Sequence, residues 1–116
     1  DNVWNKKGWS ACFWFARVTA DCMFTMAYAA DAPANDMHWK HESFNKLLVE
    51  ARGELDQIKR KEMYHEMQQI VRDEGGVIIP IIANMLDAAS TKVKFDKPAG
   101  NQELDGLRIC ERWWFA

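Results

Sequence analysis

Cysteine is scarce in this chain: Cys12, Cys22 and Cys110 are an odd number, with no CxxC spacing. That excludes a fully paired disulfide framework and argues against a zinc site built on thiolates. The expectation is three small, buried, apolar side chains. Glycine is also sparse, and it appears as "EGG" with no GxGxxG or GxxxxGK, so no phosphate-cradling loop is present. No serine stands in a GxSxG-like setting; Ser10, Ser43 and Ser90 all lack one. Neither sign of charge dominates. Fifteen basic against seventeen acidic residues give a net charge of -2 without a basic stripe, which excludes a general nucleic-acid binder. The longest apolar run is far too short to span a bilayer. The opening "DNVWNKKGWS" has no charged region followed by an apolar one, so no signal peptide is expected there. It also lacks an initiating methionine, which fits a processed chain or a fragment.

What is present is the composition of a globular protein, 48% hydrophobic and 28% charged. Its 116 residues suffice for one small domain with one core. The six tryptophans suit ligand walls and interfaces as well as cores.

Along the chain, "WSACFWFARV" (9–18) is a nearly continuous apolar run, as in a strand covered on both faces. Residues 19–30 have helical spacing through Met23, Met26, Ala27 and Ala30, with Thr19 or Asp21 able to cap. "DAPAND" then breaks the pattern. The clearest periodicity spans 42–73. Phe44, Leu47, Leu48, Ala51 and Leu55 form one apolar stripe, with Ser43 or a neighbour as cap. Ile58, Met63, Met67, Ile70 and Val71 form a second. Gly53 and the good cap Asp56 separate them, so two amphipathic helices joined near 53–57 are expected, with charged residues such as Arg52 turned outward. Gly75 and Gly76 stop the second helix. "VIIPII" reads as a buried strand that lies at an edge or bends at Pro80. "NMLDAAS" fits a helical turn or a further strand, "KPAGNQELDG" is loop-like, and "LRICERWWFA" fits a last strand. The result is an α/β pattern with very few strands, a helical hairpin laid on a small sheet with one side bare. This implies a missing partner, either another chain or more of this one.

Arg17 sits in the apolar stretch "FWFARVTAD". Two readings stand: an ion pair with Asp21 or another carboxylate, or a ligand-binding guanidinium at a strand's carboxyl end with Trp14 as a stacking face. His38 and His41, with Asp36 and Glu42 nearby, invite a metal hypothesis, but HxxH without helix context is weak, and a solvated cap region is the better expectation. His65 faces outward, and Met63 and Met67 read as packing. No catalytic constellation and no cofactor motif emerge.

The ordered string "FNKLLVEARGELDQIKRKEMYHEMQQIVRDEGGVIIPIIAN" resembles the C-terminal portion of family 5 extracellular solute-binding proteins, the receptors of peptide, nickel and related ABC importers. The matching positions are Phe44, Asn45, Leu47, Leu48, Glu50 and Ala51, then Asp56, Arg60, Met63, Tyr64 and Gln68, then Ile79 and Pro80; upstream, Trp14 and Phe24 look similar. The resemblance spans the whole chain and is best over 42–84. It implies an incomplete piece of a two-lobed periplasmic-binding-protein fold. Residues 1–84 would belong to the C-terminal lobe, with Val77 to Asn84 as a strand returning toward the other lobe. Residues 85–116 would be a return segment and tail. It also implies a periplasmic or extracellular location and a peptide or other small solute held between lobes. The implied partners are ABC permease subunits and the remaining N-terminal lobe, and the implied activity is delivery without catalysis. Peptide receptors of this family place an aspartate where Arg17 stands here, a departure that favours an anionic or polar solute, or an Arg17–Asp21 pair that shapes the pocket. The site expected from the resemblance is Trp14, Arg17 and Asp21. The rival expectation is a self-contained α/β protein-interaction domain.

Overall fold

The structure is a computed structural model and describes residues 2–116. It is a mixture of helix and a small antiparallel sheet, in two compact units: residues 1–14 with 19–78, and residues 15–18 with 79–116.

The first unit is helical. A short helix α1 (Ala20–Met23) starts at Thr19, whose hydroxyl accepts from the Cys22 N–H. It runs directly into a π-helical turn, Phe24–Tyr28, closed by the Ala29 N–H on the Phe24 carbonyl at 2.8 Å. This turn buries Phe24, Ala27 and Tyr28. The hairpin follows as expected: α2 (Glu42–Gly53) and α3 (Gln57–Glu74). Asp56 caps α3, its carboxylate accepting from the Ile58 and Lys59 N–H groups. At α2 the cap is His41, two residues before Ser43 and within the segment read as a cap region.

Phe44, Leu48 and Ala51 from α2 and Met67 and Val71 from α3 bury against Phe24, Ala27 and Tyr28, forming one core. The rings of Phe24 and Phe44 meet edge to face at 5.2 Å between centroids, and Trp39 meets Phe44 similarly at 5.1 Å. The hairpin's core partners are thus helical side chains and not the strand expected at 9–18. The ends of the two predicted stripes are also outside: Leu55 and Ile58, beside the interhelical turn, are exposed.

The expected strands correct as follows. Residues 10–17 are neither helix nor strand, and Phe13 and Phe15 are exposed. Residues 77–90 are likewise neither, with Ile78, Ile79, Ile81 and Ile82 between 62% and 88% exposed. An apolar run becomes a strand only when a neighbour completes its ladder, and among the described residues neither run has one. The cysteines are exposed rather than buried.

The sheet lies in the second unit. β1 (Val93–Phe95) pairs antiparallel with β2 (Trp113–Phe115), Val93 opposite Phe115, and Phe95 stacks on Trp113 at 4.5 Å. The final strand expected in "LRICERWWFA" is therefore present. Between the strands lie two short helical segments, α4 (Glu103–Leu107) and α5 (Ile109–Arg112). In α4, Leu104, Asp105 and Gly106 take left-handed backbone angles. Only glycine does so without steric cost, so this turn must be held by its contacts.

Asp105 supplies them. Its buried carboxylate accepts from the Ala99 N–H and from the Trp113 indole at 2.9 Å, and pairs with Arg112 at 3.1 Å. The Ala99 N–H above all, then the Trp113 indole and the Arg112 charge, lower its pKa against the opposing effect of burial.

Candidate functional site

Trp14 and Asp21 belong to the first unit and Arg17 to the second. Trp14 is half-buried and packs on the edge of the helical core. The Arg17 guanidinium donates to the Phe15 and Ala16 carbonyls at 3.0 and 3.1 Å, curling back on its own segment.

Asp21 occupies the first turn of α1, and its carboxylate is the centre of a network. Arg52, from the last turn of α2, donates through Nε to Oδ1 at 2.9 Å and through Nη2 to Oδ2 at 3.3 Å. The Tyr64 hydroxyl of α3 donates to Oδ1 at 3.0 Å. Arg52 also donates to the Thr25 hydroxyl, which in turn donates to the Asp21 carbonyl. One carboxylate therefore ties all three helices of the unit together through a fork-shaped pair and a phenol. Its effect shows on its partners. Burial, and then the bond to Asp21, raises the Tyr64 pKa, and the bond to Asp21 raises that of Arg52.

The sequence pointed to Asp21 but not to its partner Arg52, which helical periodicity assigns only to an outward face. Tyr64 was visible as a position of the resemblance, without a role. Asn45, another such position, accepts from the Ala30 N–H at 3.0 Å and donates to the His41 carbonyl at 2.8 Å. Asn35 belongs to the turn-forming stretch "DAPAND". It is buried and bridges the Ala29 and Trp39 carbonyls and the Trp39 N–H, which shapes the loop between the π turn and α2.

Next to that loop is an open hollow of about 270 Å³, lined by Asn5, Ala30, Asp31, Pro33, Asn35, His38 and Lys40 among others. Asn5 and His38 both hold positive φ. The N-terminal segment reaches this loop through Asp36, which accepts from the Trp4 indole at 2.6 Å and from the Cys12 thiol at 3.6 Å. Burial and the Asp36 charge raise the Cys12 pKa, so it is a poor thiolate.

Among the described residues, no group of three or more His, Cys, Asp or Glu side chains converges for a metal. His41 is instead committed to capping α2 and to Glu74. No helix among the described residues is long and apolar enough to cross a membrane. Comparison of the chain with protein-family models, curated proteins and solved structures gave no match.

Proposed function

We propose that this chain is part of the solute-binding component of an ABC importer, holding a peptide-like or other small polar solute between two lobes and delivering it to a membrane permease. No bond in the solute is made or broken on this reading, and the protein acts outside the cytoplasmic membrane. The observation that carries it is the contrast between two parts of the resemblance. Phe44, Leu48 and Ala51 lie in the core of a unit that Asn45 and Tyr64 fasten. The segment assigned to the strand between lobes, Val77 to Asn84, is strongly apolar yet belongs to no sheet and is mostly exposed. An exposed aliphatic run of this kind is costly in water and is accounted for by a covering surface supplied from outside residues 1–116.

On this reading Trp14, Arg17 and Asp21 face different tasks. Asp21 shapes the unit through Arg52 and Tyr64. Arg17 is the candidate for an anionic or polar group of the solute, with Trp14 as an apolar wall.

The test uses the longer polypeptide that carries this chain, screened by thermal shift and calorimetry against short peptides and other small polar solutes. Binding that Arg17→Ala weakens roughly tenfold, about 1.4 kcal/mol, without lowering the melting temperature, supports the reading. No binding, together with cooperative, monomeric unfolding of residues 1–116 alone, overturns it. That outcome would favour the self-contained interaction domain, a reading helped by the closed helical core of the first unit.

A further inference from the structure

The hollow beside the loop between the π turn and α2 lies wholly within the first unit. Its volume of about 270 Å³ is just below the ~300–1,000 Å³ of drug-sized pockets, so its occupant must be a small molecule. Asp31 and Lys40 both line it, as do Asn5 and His38. The carboxylate and the ammonium share one hollow without closing on each other. Among the described residues neither pairs with any other charge, and the Asn5 and His38 side chains are equally uncommitted.

The frame around them is, by contrast, engaged. Asn35 bonds to the Ala29 and Trp39 carbonyls and to the Trp39 N–H, and Asn45 accepts from the Ala30 N–H. Asp36 accepts from the Trp4 indole, which brings the neighbouring Asn5 to the rim. The Lys6 and Lys7 N–H groups both donate to the Val3 carbonyl, closing a turn around Asn5. Asn5 and His38 hold φ of 57° and 52°, a conformation uncommon outside glycine and recurrent at ligand clamps. The backbone is thus fixed by its own bonds while four polar side chains are left over. That pre-organisation lowers the cost of taking up a ligand.

We propose that this hollow binds a small zwitterion, of the class of a free amino acid. Asp31 takes the ammonium, Lys40 takes the carboxylate, and His38 and Asn5 supply hydrogen bonds to either. A lone anion meets Asp31 and a lone cation meets Lys40, so the pair selects against both. Asp31, His38 and Lys40 are exposed, so each charge contributes only about three- to fivefold, and binding weakens as salt rises. The site uses none of Trp14, Arg17 or Asp21. It stands apart from the solute site between lobes, and its failure leaves that reading untouched.

The test is a titration of the 116-residue chain with L-serine at low ionic strength, followed by backbone amide resonances. Saturable shifts are expected at Asp31, His38 and Lys40, with a Kd of about 10 mM or tighter. N-acetyl-L-serine lacks the ammonium and L-serine amide lacks the carboxylate, so each should bind about three- to fivefold more weakly. Asp31→Asn should abolish the preference for L-serine over its N-acetyl form, and Lys40→Gln the preference over its amide. Both side chains are exposed, so both variants should keep the wild-type spectrum away from the loop. No saturable shift at these residues, equal affinity for all three compounds, or variants that bind like wild type overturns the proposal. Inorganic phosphate binding as tightly as L-serine also overturns it, because the hollow would then be a simple anion site.

Discussion

Replacing Asp21 with alanine removes one carboxylate and releases Arg52 and Tyr64 together, separating a structural clamp from a ligand contact. The Arg52 side chain is 44% exposed and that of Asp21 is 29% exposed, so solvent screening limits their pair to about 1 kcal/mol despite its two-pronged geometry. The Tyr64 hydroxyl is partly buried and contributes about 1 kcal/mol more. The sum is about 2 kcal/mol, on the order of 8 °C in the melting temperature of a chain this size. Tyr64→Phe alone should cost about 1 kcal/mol. In the Asp21→Ala, Tyr64→Phe double variant the two losses should not add, because both delete the same bond. Urea titration of the helix signal measures all three, with an unchanged denaturant slope as the check on a common transition. A loss below about 0.5 kcal/mol for Asp21→Ala, or full additivity with Tyr64→Phe, would refute the clamp.

Three further outcomes are expected. Phe44→Ala empties the centre of the helical core and should cost about 3–5 kcal/mol by urea titration. Ile81→Ser and Ile82→Ser touch a segment that is exposed in this chain, so unfolding free energy should change by no more than about 0.5 kcal/mol while binding of an apolar dye falls. The lowered pKa of Asp105 means that its unfolded form takes up a proton first, near pH 3.9. Its stabilisation is thus complete above that value and lost as pH falls through the lower folded value. The Trp113 indole N–H resonance should report this acid transition, and Asp105→Asn should abolish it.

The hairpin was legible because its causes are local. Phe44, Leu48 and Ala51 recur at helical spacing, Met67 and Val71 do so on the next helix, and Asp56 marks the start of that helix by a side chain that reaches its own backbone. The cap of α2, expected at Ser43 or a neighbour, is His41. Ser43 is the more usual cap, but an imidazole nitrogen at position 41 does the same work when a carboxylate 33 residues away fixes its other nitrogen. The two apolar runs at 9–18 and 77–82 were misread for a related reason. Their composition states what they prefer to be covered by, and a strand requires a partner that composition does not supply. The actual strands are three residues long, below the length at which alternation can be recognised, and the turn between them depends on Asp105.

The candidate site follows the same division. Trp14, Arg17 and Asp21 were grouped by the resemblance and by a strand expected to end near Arg17, and residues 10–17 form no strand. Asp21 stands in the first turn of a helix, and its partners Arg52 and Tyr64 come from 31 and 43 residues away. Arg17, four residues before it, bonds to its own preceding carbonyls. The ion pair considered for Arg17 and Asp21 is therefore formed by Asp21 with Arg52 instead. A guanidinium at the end of α2 is also favoured by the helix dipole, which gives Arg52 a local reason to stand where it does and gives α1 a reason to begin with an acid. The effect of Arg17 on solute affinity is the measurement on which the functional reading turns.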